Sequence, residues 1–165
     1  MKSTQDNLRE AFVGESLAVQ KYHAFAEKAE RDGFANIARL FRTAAEAEKI
    51  HAQERFKAMD GIGSTAENLQ VALEEETHAS EVVYPPMLKQ AETDGHKASR
   101  MFGYTVEAEA SHVRLYQMAW EAVENERDLA ETDFRLCPNC GYIELGRPSN
   151  ACSICGTRPD KFIEV

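Results

Sequence analysis

Glu48-Lys49-Ile50-His51 is followed 61 residues later by Glu109-Ala110-Ser111-His112, and the reading of this pair decides the fold. Residues three apart share one face of a helix, so each Glu-x-x-His turns a carboxylate and an imidazole toward one point. That is a metal-binding geometry. Glu15 stands 33 residues before Glu48, and Glu76 stands 33 before Glu109, so a further carboxylate recurs in the same phase. Each half of the chain reads as a helical hairpin that supplies one Glu from its first helix and a Glu-x-x-His from its second. Two halves give six ligands, the number and kind that hold two metal ions in carboxylate-rich four-helix bundles.

The energetics favour the metals. In the helical register, Glu15, Glu48, Glu76 and Glu109 all lie on inward faces. One buried, unpaired carboxylate costs several kcal/mol, so four would rival the ~5 to 15 kcal/mol stability of a whole domain. Two divalent ions balance four carboxylates, and two neutral imidazoles complete the set. Such ligands suit iron or manganese, whereas zinc comes with fewer carboxylates and more nitrogen or sulfur.

Outward from the motifs, four helices are predicted. Ser3 or Thr4 caps the first, which carries Leu8, Phe12, Leu17, Val19 and Phe25 and ends near Asp32-Gly33. The second begins around Ile37, Leu40 and Phe41 and stops at Asp60-Gly61-Ile62-Gly63. Ser64 or Thr65, with Glu67, caps a third that runs through Val83, kinked at Pro85-Pro86, to Asp94-Gly95. A fourth runs from about Lys97 to about Leu129, with Met101, Phe102, Val106, Leu115 and Met118 inward. Asn7-Leu8 recurs as Asn68-Leu69, Arg39 as Arg100, Phe41 as Phe102 and Glu46 as Glu107, all at the offset of the ligands. Duplication of a helix pair explains this. Asp32-Gly33 recurs one residue late, and the double proline is where the insertion can be absorbed.

Helix content ends near Glu131, and Cys, Pro, Gly and Asn then dominate, so the domains are predicted as 1–133 and 134–165. Cys137-Pro138-Asn139-Cys140 and Cys152-Ser153-Ile154-Cys155 form a four-thiolate signal that holds one iron or one zinc; spacing leaves the two open. A module this small needs its metal in order to fold. The net charge of −9 and the lack of a basic run exclude a nucleic-acid partner. No apolar run reaches the ~20 residues of a membrane span, and the N-terminus lacks a signal-peptide pattern. A cytoplasmic protein with no membrane partner is expected, and there paired cysteines bind metal.

These motifs carry a resemblance. Gly14-Glu15-Ser16, Glu48-x-x-His51, Tyr84-Pro85 after Glu76, Glu109-x-x-His112 and the terminal Cys-x-x-Cys-Gly-Tyr module resemble the rubrerythrin family in order, over essentially the whole chain. The resemblance implies an all-α ferritin-like four-helix bundle with a small C-terminal rubredoxin-like metal-knuckle domain. It implies two irons on Glu15, Glu48, His51, Glu76, Glu109 and His112, and one on Cys137, Cys140, Cys152 and Cys155. It implies reduction of hydrogen peroxide to water, with electrons passed from an unidentified donor protein through the four-cysteine iron. Tyr22 and Tyr84 match family tyrosines beside the cluster, where a phenol can hydrogen-bond a ligand carboxylate.

One position departs from the pattern. The family has a further glutamate three residues after the ligand matching Glu76, and here that residue is Ala79. His78 and Glu81 point off the face of Glu76 and are read as solvated. Ala79 keeps open a ferroxidase or O2-reducing oxidase; an iron-binding protein with a structural zinc ribbon is the non-enzymatic alternative. In a ferritin-like bundle the second and third helices run parallel, yet about five residues, Asp60 to Ser64, join them. Extended chain covers at most ~3.6 Å per residue, against ~38 Å for a helix of some 25 residues. An up-down bundle or a homodimer with swapped hairpins follows.

Overall fold

A computed structural model of the chain describes residues 2–130 and 133–165. It divides into two compact units, Met1–Gly63 and Ser64–Val165.

The first unit is a hairpin of α1 (Thr4–Arg31) and α2 (Ala35–Ala58). Ser3 opens α1 with a capping box: its hydroxyl accepts from the Asp6 amide, and the Asp6 carboxylate accepts from the Ser3 amide. The helix ends on Gly33 at φ 86°, where a side chain would be strained; the Phe34 amide donates back to Ala29 O at 2.8 Å. The α1–α2 seam is made of alanine. Ala38, Ala45 and Ala52, one heptad apart, are buried along α2, and Ala26 and Ala29 along α1. Small residues let the two backbones approach, and the large side chains splay outward. Leu17, Phe25, Leu40 and Ile50 are all exposed within the unit. Leu17 and Phe25 are nonetheless part of the helical pattern read from the sequence.

The second unit holds α3 (Thr65–His78), a π-helical turn (Ala79–Val83), α4 (Tyr84–Thr93) and α5 (Ala98–Glu124). Ser64 and Glu67 repeat the capping box of α1, and Gly95 repeats the turn at Gly33, with the His96 amide donating to Ala91 O. The extra residue of this second copy is taken up in the π turn, directly ahead of Pro85 and Pro86 at the start of α4. A π turn accommodates one additional residue, and prolines tolerate a helix's first turn because its amides have no partner there. The predicted kinked helix is therefore two α-helices joined through that turn.

α5 is shorter than the sequence pattern suggests. It ends at Glu124, not near Leu129, and the stop is made by Glu126 in the left-handed region at φ 53°, with the Arg127 amide donating to Ala122 O. Glu131, where helix content was expected to end, lies outside the described residues. Met101, read as inward, is 55% exposed, and Met118 is at the margin of exposure; both lie on α5 faces that α3 and α4 leave uncovered. Beyond α5, β1 (Phe134–Leu136), β2 (Ile143–Leu145) and β3 (Ile163–Glu164) form an antiparallel sheet in the order β2-β1-β3.

Candidate metal centres

Each unit gathers one carboxylate–histidine group. Glu15 from α1 meets Glu48 and His51 from α2, and Glu76 from α3 meets Glu109 and His112 from α5; within each group the ligand atoms lie within 4.8 Å of one another. The i,i+3 spacing delivers what the sequence promised. His51 Nδ1 lies 3.4 Å from Glu48 Oε2, and His112 Nδ1 lies 2.9 Å from Glu109 Oε2 and 3.7 Å from Glu76 Oε2.

The electrostatics ask for cations. Burial, then the neighbouring Glu109 carboxylate, pushes the Glu76 carboxyl up to about 7, only partly opposed by His112. In the first unit, Glu15 Oε2 is buried without a hydrogen-bond donor. Arg55 Nε lies 2.9 Å from it, a charge contact that lacks the alignment of a hydrogen bond. Arg55 is the site neighbour that sequence reasoning missed. Its one signal was its place a helical turn beyond His51, on the ligand face.

Tyr22 packs against Phe25 and Phe41, and Tyr84 against Phe102 at a ring separation of 6.2 Å. Among the described residues neither hydroxyl bonds a ligand carboxylate. His78 and Glu81 are exposed, as the sequence implied, and Ala79 offers no ligand atom.

Cys137, Cys140, Cys152 and Cys155 form the third group, with Sγ–Sγ separations of 3.5 Å for Cys137–Cys155 and for Cys140–Cys152. A metal at ~2.3 Å from each sulfur needs thiolates about this close. Two matching knuckles hold them. The Gly141 amide donates to Cys137 O and the Gly156 amide to Cys152 O, and both glycines have positive φ, 82° and 74°. Burial pushes the Cys140 and Cys152 thiols up, whereas at Cys155 burial is outweighed by hydrogen bonds from Thr157 and Asn139, which bring it to about 6. A bound cation resolves this mixture by holding all four as thiolates. The cysteine and carboxylate groups are linked through His112: its Nε2 lies 2.9 Å from the carbonyl oxygen of Gly141, the residue after Cys140.

Carboxylate–histidine groups on helices, the one in the second unit beside a four-cysteine knuckle, define an oxidoreductase of the di-iron carboxylate class. The comparisons carry this to a family. The rubrerythrin family profile matches residues 6–120. Rubrerythrin-2 of Clostridium acetobutylicum is 35% identical, covering 96% of this chain and 95% of the relative. Nigerythrin of Nitratidesulfovibrio vulgaris is 34% identical, covering 97% and 85%. Among solved structures, the fully reduced, all-ferrous state of nigerythrin matches at a TM-score of 0.59 and 30% identity, covering 100% of this chain and 88% of that one. The chain belongs to the rubrerythrin family. Its three ligand groups correspond to that family's cofactors, a di-iron centre and a rubredoxin-like iron. Among the described residues, no helix is long and apolar enough to cross a membrane.

Proposed function

We propose that the chain is a cytoplasmic peroxide reductase in which Glu15, Glu48, His51, Glu76, Glu109 and His112 together hold two irons, and Cys137, Cys140, Cys152 and Cys155 hold a third. Residues 1–133 form the catalytic bundle and 134–165 the electron-transfer domain. The overall change is H2O2 + 2 e− + 2 H+ → 2 H2O. Iron supplies the one-electron couples, and the electrons come ultimately from a donor protein. Everything else is the work of side chains. The carboxylates neutralise the metals and hold them near each other, and the histidines complete the ligand set. Tyr22 and Tyr84, the matches to the family's tyrosines, steady ligand carboxylates once the two groups assemble.

The observation that carries this reading is the bridge from Gly141 to His112. With the Nε2–H donating a hydrogen bond to the Gly141 carbonyl, Nδ1 is left as the metal-facing nitrogen, so one imidazole touches both the cysteine knuckle and the carboxylate group.

Assembly follows from counting. Each unit holds three ligands, while the family centre needs both groups. Six residues, Met59 to Ser64, separate α2 from α3, too few to run the ~36 Å length of α2. The proposed state is a homodimer in which the first hairpin of one chain completes the second hairpin of the other. Exposed large apolar side chains on each hairpin, Leu17 and Leu40 in the first and Val71 and Met101 in the second, support such pairing.

Visible absorption of the anaerobically reduced protein, followed as substoichiometric peroxide is added, tests the reading. Prompt return of a ferric-thiolate spectrum is expected. Faster return with O2 than with peroxide would make the chain an oxidase or ferroxidase, which Ala79 favours. A colourless protein throughout would make the cysteine site zinc and remove the electron path.

A further inference from the structure

The two carboxylate–histidine groups match in ligands but not in surroundings. Arg55 breaks the repeat: the residue 61 positions later is Tyr116. Arg55 lies on α2 one turn past His51, and its Nη1 donates to His51 O at 2.9 Å, which fixes the guanidinium against the ligand face. Its Nε then sits 2.9 Å from Glu15 Oε2, with side chains 32% and 19% exposed, so the pair is largely withdrawn from water. The oxygen itself has no aligned donor and keeps its lone pairs for a cation. Among the described residues, no lysine or arginine pairs with Glu76 or Glu109; the side chain set against both is the His112 imidazole.

We propose that Arg55 makes the metal at the Glu15–Glu48–His51 end of the dimetal centre the more weakly held of the two. The cause is electrostatic. A guanidinium keeps its charge at every pH the protein meets, so it cannot step aside by losing a proton. It holds the Glu15 carboxylate in place without metal, and it repels a divalent ion that takes the same carboxylate. With little water between them, that repulsion is weakly screened. The other end pays no such penalty. Loading is therefore ordered: the Glu76–Glu109–His112 end fills first, and the Glu15 end gains and loses its ion more readily. The inference rests on the dimetal reading above and adds an inequality that the repeat alone does not contain.

Mn2+ is the probe, because it prefers carboxylate and imidazole to thiolate. The whole chain, its cysteine site already filled with zinc, is titrated with Mn2+ while free Mn2+ is read by electron paramagnetic resonance. Wild type should bind two Mn2+ per chain, the second about tenfold or more weaker than the first. Arg55→Gln keeps a donor for the His51 carbonyl but loses the charge, and should tighten the weaker step until the two nearly coincide. Arg55→Lys keeps the charge and should preserve the wild-type gap. Circular dichroism confirms that each variant is helical; if Arg55→Gln does not fold, Arg55→Met takes its place. Two Mn2+ per chain with the gap unchanged in Arg55→Gln, or with the gap closed in Arg55→Lys as well, overturns the proposal and leaves the dimetal reading standing. Fewer than two Mn2+ per wild-type chain overturns both.

Discussion

His112 Nε2 lies 2.9 Å from the carbonyl oxygen of Gly141, while Nδ1 of the same ring lies 2.9 Å from Glu109 Oε2. One side chain thus spans the two chemistries of the second unit. Replacing His112 with Leu removes both contacts but leaves the four cysteines untouched. The ferric-thiolate absorption should still form on iron loading, and its return after peroxide should slow by about tenfold or more, because the substitution removes a ligand of the dimetal centre together with the contact to Gly141, and loss of an orienting contact alone costs about that much. Stopped-flow absorption measures this, and a wild-type rate would show that electrons pass by another route.

The helix ends make a separate prediction about stability. Glu126 stops α5 in the left-handed region, where a residue with a Cβ is strained, so Glu126→Gly should stabilise the protein by about 0.5–1 kcal/mol. Gly61 is the opposite case. A Cβ there would collide with the Phe56 ring, which stacks on Phe12 at 5.2 Å. Gly61→Ala should push that ring off its partner and cost on the order of 1 kcal/mol. Denaturant midpoints of the two variants, measured against wild type, should move in opposite directions.

Much of this was legible in the sequence because it depends on local spacing. Three-residue offsets dictate that Glu48 and His51, or Glu109 and His112, share a helix face, and Cys-x-x-Cys-Gly dictates a knuckle. Ser3 or Thr4, and Ser64 or Thr65 with Glu67, announce two helix starts, and Asp-Gly announces two ends. What escaped depends on contacts remote in sequence or on unusual backbone choices. The end of α5 was hidden because Glu126 takes a conformation that glycine usually marks. The π turn was hidden because an extra residue changes helical phase without changing composition. Arg55 reads as one more charge on a helix until α1 brings Glu15 against it, and nothing near Gly141 in sequence points to His112, 29 residues away.

Glu76 predicts a pH dependence of the metal-free protein. Burial and the Glu109 carboxylate raise its carboxyl to about 7 from 4.5, so the folded state holds a proton that the unfolded state releases earlier. The sign follows from proton linkage: between about pH 4.5 and 7 the folded form binds more protons, and this contribution to stability declines as pH rises. The contribution is on the order of 2 kcal/mol. Metal-free wild type should therefore lose stability relative to Glu76→Gln as pH is raised from 5 to 7.5. Parallel curves for the two proteins would show that the shift is absent.

The swapped dimer makes a prediction that an unswapped bundle cannot share. One variant carries Glu48→Ala and His51→Ala, which disable the first hairpin; another carries Glu109→Ala and His112→Ala, which disable the second. If each centre joins the first hairpin of one chain to the second hairpin of its partner, a mixed dimer contains one centre with all six ligands and one with neither motif. Unfolding and refolding the two variants together should then restore two-metal binding to a fraction of the centres, with neither variant binding a metal pair alone. Statistical mixing gives mixed dimers about half the population, and half of their centres are complete, so about a quarter of wild-type Mn2+ pairs should return. Chains that close their own centres would restore none, because every centre would carry one disabled motif whatever its partner. The result separates the two topologies without reference to the size of the particle, and the six-residue segment from Met59 to Ser64 is the reason to expect exchange.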